Sequence, residues 1–261
     1  MAILSQHTRK KGIYLLPNLF TTGALFAGYY SIIASVNGRY QSAAVFIFIA
    51  ALLDGLDGRV ARLTNTQSDF GVQYDSLSDL VSFGLAPSLL MFTWALQSLS
   101  EIHPVMGKIG WLAAFVYAVS AALRLARFNV QVEVIDKAYF QGLPSPAAAG
   151  LVAAFVWVTE DVGLDANSLR FVALFLTVIT GLLMVSRFRY YSFKTLPIRE
   201  RVSFGWVLLL VGIFVLLALD PPKVLFVTAL TYAVSGPVLT LLQLRGKRRG
   251  RRKKNGRATE S

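Results

Sequence analysis

Asp54 and Asp57 stand three residues apart, and Asp75 and Asp79 four apart, within the run D-G-L-D-G-R-V-A-R-L-T-N-T-Q-S-D-F-G-V-Q-Y-D-S-L-S-D. On helices each pair shares one face, the side chains roughly 5–6 Å from each other. Apolar stretches flank the run on both sides, so the four carboxylates lie at a membrane edge. There a carboxylate is costly unless it pairs or holds a cation, which makes the cluster a candidate functional site. Two antiparallel helices joined by the polar turn T-N-T-Q-S-D would aim both acidic faces at one volume. Carboxylates shared between two divalent ions about 3.5–4 Å apart can clamp a diphosphate for in-line displacement.

The rest of the inventory narrows the chemistry. The chain has no cysteine, so thiolate nucleophiles, thiolate metal sites and disulfides are excluded. His7 and His103 are the only histidines, which argues against a histidine metal site or a Ser-His-Asp triad. A metal bound here must be a hard, oxygen-liking cation such as Mg²⁺ or Mn²⁺.

The elements that must position these residues are membrane helices. Hydrophobic residues make up 55% of the chain and charged residues 15%, the balance of a polytopic membrane protein. Eight apolar segments are long enough, or nearly so, to span: 14–36, 41–63, 76–98, 109–128, 144–161, 168–186, 203–219 and 224–243. Arg9, Lys10 and Lys11 precede the first, but without a small-residue cleavage site the segment reads as a retained helix. With the N-terminus in the cytoplasm and every segment crossing once, the far face receives only Arg39, Lys108, Arg170 and Lys223 of the 26 Lys and Arg. Both termini and the four aspartates are therefore expected on the cytoplasmic side. The run from Arg245 to Arg257 supplies most of the net charge of +12. It reads as a disordered polybasic tail on anionic membrane lipids, at roughly 1 kcal/mol per basic residue. No aromatic interleaves with its basic residues, which argues against nucleic acid.

The spacing D-x2-D-G-x2-A-R-x8-G-x3-D-x3-D, from Asp54 to Asp79, resembles the signature of the CDP-alcohol phosphatidyltransferases, position for position. The resemblance implies an integral-membrane enzyme that moves a phosphatidyl or related group from a CDP-linked donor to an alcohol. It implies Asp54, Asp57 and Asp75 as metal ligands, and Asp79 as a further ligand and the general base on the acceptor hydroxyl. Gly58, Ala61 and Arg62 would line the CDP site. The stretch P-N-L-F-T adds Asn18 and Thr21 beside the nucleotide.

Four further stretches resemble the bacterial, membrane-embedded CDP-diacylglycerol–serine O-phosphatidyltransferases within that family. They are S-D-L-V-S-F-G-L-A-P-S-L-L (78–90), R-L-A-R-F-N (124–129), F-Q-G-L-P-S-P-A-A-A (140–149) and S-R-F-R-Y-Y-S-F-K (186–194). The likeness implies CDP-diacylglycerol and L-serine as substrates, a homodimer, and the bacterial inner membrane, with glycerol 3-phosphate or inositol as the competing acceptors. Serine carries a carboxylate, and Arg124 and Arg127, three apart on one helix face, could bind it or the donor phosphate; Arg189 and Lys194 are weaker candidates. A cation transporter is the alternative from another class. Against it, the acids form a cup on one side, with none mid-span elsewhere. The expected organisation is a cytoplasmic N-tail (1–13), a catalytic membrane core (14–195) as a six-helix bundle, two additional membrane helices (196–244) and the basic tail (245–261).

Overall fold

A computed structural model of the chain describes residues 2–64, 66, 68–131, 139–191 and 204–258. It is an all-α membrane protein. In chain order the elements are α1 (Ala2–Val36), α2 (Tyr40–Thr64), α3 (Asp69–Asp79), a π-helical segment (Leu80–Leu85) and α4 (Ala86–Trp94). A 3₁₀ turn (Leu96–Glu101), α5 (Pro104–Gln131), β1 (Tyr139–Gln141), α6 (Ser145–Val162) and α7 (Ala166–Val185) follow. The chain closes with β2 (Arg189–Tyr191), α8 (Phe204–Leu219) and α9 (Pro221–Ala258). Among the described residues, five helical stretches are long and apolar enough to cross a membrane: Pro17–Val36, Asp69–Trp94, Pro104–Val130, Ala166–Val185 and Pro221–Leu242.

Small residues set the packing. α1 and α2 form an antiparallel hairpin in which Ala24, Ala27 and Ala34 face Ala43, Ala44 and Ala50, all buried. With no hydrophobic drive between helices in lipid, close backbone approach and interhelical hydrogen bonds hold such a pair. One such bond runs from the Ser31 hydroxyl to the Ala43 carbonyl at 2.8 Å. The same device joins α1 to α3 and the π segment, where Ser78 and Ser82 donate to the carbonyls of Thr21 and Ala24 at 3.2 and 3.0 Å. Gly28 completes that seam. A Cβ there would stand 2.4 Å from Ser82 Oγ. α6 is the central post, buried almost continuously from Ala148 to Val156 and touching α2, α4, α7 and α9.

Two prolines inside this assembly each free a carbonyl, and each time a buried tyrosine takes it. Pro87 cannot donate to Phe83, and Tyr117 of α5 donates to the Phe83 carbonyl at 3.3 Å. Pro237 of α9 cannot donate to Ala233, and Tyr190 of β2 donates to the Ala233 carbonyl at 3.0 Å. Membrane helices tolerate proline when a neighbour satisfies the backbone it releases.

Several boundaries differ from the sequence expectation. The third span begins at Asp69 rather than 76, because the Ser68 side chain caps it by accepting from the Gly71 amide at 3.0 Å. It ends at Trp94 and gives way to the 3₁₀ turn, and α5 starts at Pro104, a favoured first-turn residue. The β1–β2 ladder, pairing Tyr139 with Tyr191 and Gln141 with Arg189, had no counterpart in the helical reading. Its strands are three residues each, too short to show a pattern. Where the sequence suggested a disordered tail, the backbone of α9 runs on as helix to Ala258: no proline follows Pro237, and Lys and Arg are good helix formers. Lys137, Lys194, Arg199 and Arg201, counted above as basic residues of one face, lie outside the described residues.

Candidate active site

The last turns of α2 carry Asp54, Asp57, Gly58, Ala61 and Arg62, and α3 carries Gly71, Asp75 and Asp79. The short connection between the helices turns the chain back, so the two acidic faces meet. Asp54, Asp57 and Asp75 each offer a carboxylate oxygen within 4.8 Å of the others. Asp54 also lies within hydrogen-bonding reach of Asp79, which brings the fourth acid into the group. Among the described residues no lysine or arginine forms a salt bridge with any of the four. Acids gathered in contact, with no ion pair to any of them, require either protons or cations between them.

That donor set fits a hard divalent ion. Oxygens up to 4.8 Å apart can share one cation coordinated at about 2.0–2.6 Å. No nitrogen or sulfur ligand competes, since the chain lacks cysteine and its histidines lie elsewhere in the sequence.

α1 supplies the third wall. Thr21, buried, places its hydroxyl 2.8 Å from Asp57 Oδ2 and donates to it. Asn18 sits beside α3, its Oδ1 3.6 Å from where a Gly71 Cβ would stand. Thr22 and Tyr74 link the same two helices through their hydroxyls at 2.9 Å. Arg62 folds back over Gly58, with Nη1 3.6 Å from a would-be Cβ, so the glycine leaves the guanidinium room to approach the backbone. Directly after Asp79 the chain winds as a π helix for six residues. The extra residue in that turn shifts the register. Asp75 and Asp79 face the site, while Phe83, Ala86 and Leu90 turn into the core, all fully buried.

The two arginines of α5 separate. Arg124 reaches inward, donating from Nη1 to Ser145 Oγ of α6 at 2.7 Å and lying within electrostatic range of Asp79. Its Nε is buried and has no hydrogen-bond partner among the described residues. Arg127 turns instead to the Gln141 side-chain oxygen on β1. Arg189 sits on β2, where its backbone amide donates to Thr240 of α9, and Lys194 lies outside the described residues.

Sequence reasoning missed four residues around this centre. Ser145 and Gln141 hold the arginines, and Asn129 bonds Ser76, the neighbour of Asp75, at 3.0 Å. All three stood in stretches already singled out, though only Asn129, two residues after Arg127, lies beside an arginine in the sequence. The fourth, Tyr232 of α9, donates its hydroxyl to the Tyr191 carbonyl of β2 at 3.3 Å. Nothing in the sequence marked it, since only the packing of α9 brings it there.

A membrane bundle with an all-oxygen acidic cup between its second and third helices defines a class. The profile of the CDP-alcohol phosphatidyltransferases matches residues 14–185, about two-thirds of the chain, and the protein belongs to that family of transferases. Among individual proteins, it is 40% identical over 183 residues to the CDP-diacylglycerol–serine O-phosphatidyltransferase of Helicobacter pylori, covering 70% of this chain and 74% of that one. The enzyme of the same name from Bacillus subtilis is 34% identical over 191 residues, 73% of this chain and 98% of the relative. That of Mycobacterium leprae is 30% identical over 230 residues, 86% and 74%.

Proposed function

We propose that the protein transfers the phosphatidyl group of CDP-diacylglycerol to the hydroxyl of L-serine, releasing CMP, in bacterial phospholipid synthesis. The observation that carries this reading is the convergence of Asp54, Asp57 and Asp75 on one oxygen-only site, with Asp79 beside Asp54. The acceptor is named from the relatives, which share this activity.

Asp54, Asp57 and Asp75, with Asp79 alongside, would hold Mg²⁺ or Mn²⁺. Bound there, the ions supply positive charge to the diphosphate and to the developing CMP leaving group. Asp79 takes the proton from the serine hydroxyl, whose oxygen forms the new bond to the lipid-side phosphorus. The bond from that phosphorus to the CMP oxygen breaks, and CMP leaves with the electron pair. Arg62, Gly58 and Ala61 accommodate the CDP moiety, and Asn18 and Thr21 close that side, Thr21 also fixing the rotamer of Asp57. Arg124 is the cation for the serine carboxylate. Its buried, unpartnered Nε supports this, because a donor left unmade in a membrane interior is costly until an anion arrives.

The membrane arrangement belongs to the same reading. Eight spans, a six-helix core and two additional helices, put both termini and the acidic cup on the cytoplasmic side of the inner membrane. Nucleotide-activated lipid and serine are available there. The chain works as a homodimer, and the basic C-terminal run meets anionic lipid.

Acceptor identity is the test. Purified protein with CDP-diacylglycerol and Mg²⁺ or Mn²⁺ is offered L-serine, glycerol 3-phosphate and myo-inositol separately, and CMP release is followed. Serine alone should support turnover, with serinol and ethanolamine poor. Arg124→Ala should raise the KM for serine roughly 10–150-fold, the value of a lost charge-assisted contact of about 1.5–3 kcal/mol. CMP release with inositol or glycerol 3-phosphate but not serine would overturn the acceptor and leave the four-aspartate chemistry standing.

A further inference from the structure

The span that carries Asp75 and Asp79 near its start ends at Trp94, and a cavity opens beyond that far end, where the chain turns into α5. Its volume is about 390 Å³, within the range of small-ligand pockets. Phe92 of α4, Gln97 and Ser100 of the 3₁₀ turn, and Lys108 and Trp111 of α5 line it, and no acid does. Gly107 lets the turn lie close against α5, since a Cβ there would stand 2.8 Å from Ser100 Cβ. The span that starts at Pro104 has 27 residues and measures about 40 Å, the thickness of a bilayer with its head groups. Lys108 and Trp111 lie about 6 and 10 Å along it, at head-group depth and where the acyl chains begin.

Of the four cations that the sequence puts at this end, three have a neighbour. Lys223 pairs with Asp220, and Arg39 and Arg170 lie over the rings of Tyr30 and Phe171 at 5.7 and 5.9 Å. Lys108 makes no salt bridge or ring contact among the described residues. An ammonium at the mouth of a recess without a counter-charge draws an anion. Gln97 and Ser100 give donors to the carbonyls of Thr93 and Gln97, at 2.7 Å each, and keep their side-chain oxygens as acceptors, which suits a head group that carries hydroxyls. One turn deeper, the rings of Trp111 and Phe115 stack at 5.7 Å with their planes 4° apart, both more than half exposed. They make a flat apolar strip that leads from Lys108 toward the membrane interior. A cation above and an apolar strip below match the two halves of one lipid molecule.

We propose that this cavity binds one anionic phospholipid of the leaflet opposite the acidic cup, its phosphate on Lys108 and an acyl chain along Trp111 and Phe115. The site is separate from the reaction and does not depend on which alcohol accepts the phosphatidyl group. A zwitterionic lipid brings its own ammonium to the same place and gains less from Lys108.

The test places the full chain in phosphatidylcholine nanodiscs that contain, at equal mole fraction, either phosphatidylglycerol or phosphatidylcholine with brominated acyl chains. Bromine quenches tryptophan fluorescence at contact range, and the difference between wild type and Trp111→Phe separates Trp111 from the other three tryptophans. Brominated phosphatidylglycerol should quench Trp111 as if about fivefold more concentrated than brominated phosphatidylcholine, the worth of one basic residue at an anionic surface. Lys108→Gln should remove that preference and Lys108→Arg should keep it, with CMP release within twofold of wild type in both as the sign of a folded protein. The comparison of the two lipids in wild type stands by itself if a variant does not fold. Removal of the chain after Leu244 should leave the preference intact, because the basic run lies beyond the other end of α9. Equal quenching by both lipids in wild type, a preference that survives Lys108→Gln, or one lost with the basic tail would each overturn the proposal. So would loss of the preference when inorganic phosphate replaces chloride at constant ionic strength, which would show a site for a free anion instead of a lipid.

Discussion

Gly28→Ala adds one methyl group two helical turns from the acidic site. The new Cβ would stand 2.7 Å from Ser82 Cα and 2.4 Å from Ser82 Oγ. Carbon atoms in contact prefer about 3.5–4.0 Å, so α1 and the π segment must part by about 1 Å. That movement stretches the bonds from Ser78 and Ser82 to the carbonyls of Thr21 and Ala24, already 3.2 and 3.0 Å long. Thr21 rides on the same helix and loses its 2.8 Å contact with Asp57. Overpacking of this size costs about 1–3 kcal/mol of stability. A misplacement of 1 Å at a reacting centre costs on the order of 100-fold in rate. The expected variant is therefore a folded protein with a lower melting temperature and about one-hundredth of the CMP release. Pairing it with Ser82→Ala should not restore activity, because the backbone Cα, not the hydroxyl alone, blocks the methyl group. Wild-type melting and CMP release within twofold of wild type would refute this account of the seam.

Further outcomes follow from other residues. Asp54→Asn, Asp57→Asn and Asp75→Asn should each lose most activity while the protein still inserts and purifies, and full activity in chelator-treated membranes would contradict the metal site. Asp79→Asn should still bind CDP-diacylglycerol while turnover collapses, measured as donor binding against CMP release; near wild-type turnover would move the base elsewhere. Tyr117→Phe leaves the Phe83 carbonyl unmet and should lower stability by about 1–3 kcal/mol in thermal unfolding. Removal of the chain after Leu244 should spare catalysis in detergent and weaken the response to anionic vesicles, and an inactive yet folded truncation would contradict that role for the tail.

The four aspartates were legible because their chemistry is local. Two pairs at helical spacing, close in sequence and joined by a polar turn, need only one hairpin to meet. Five of the eight hydropathic segments were legible too, returning among the described residues as helices long and apolar enough to cross a membrane, each being a property of its own residues. The π segment was not, because Leu80–Leu85 has the same apolar composition in either helical register and differs only in how its backbone bonds are shared. The tyrosine contacts were not legible either. Tyr117 meets a carbonyl 34 residues away and Tyr190 one 43 residues away, and no pattern near either tyrosine encodes the proline that frees its acceptor. Arg124 and Arg127 share a spacing that predicts a shared role, but a hydroxyl on α6 draws one inward and an amide on β1 draws the other away.

The bond between Tyr190 and Ala233 also sets an order of assembly. At about 5–20 residues per second, a ribosome takes several seconds to pass from one to the other. Through that interval the four aspartates have already been synthesised, while Tyr190 has neither acceptor nor notch. A nascent chain that stops before Ala233 carries all four aspartates of the cup, yet leaves the Tyr190 hydroxyl without the carbonyl it bonds. Completion of the last helix is thus the event that gives the Tyr190 hydroxyl its acceptor and its ring the notch at Gly236.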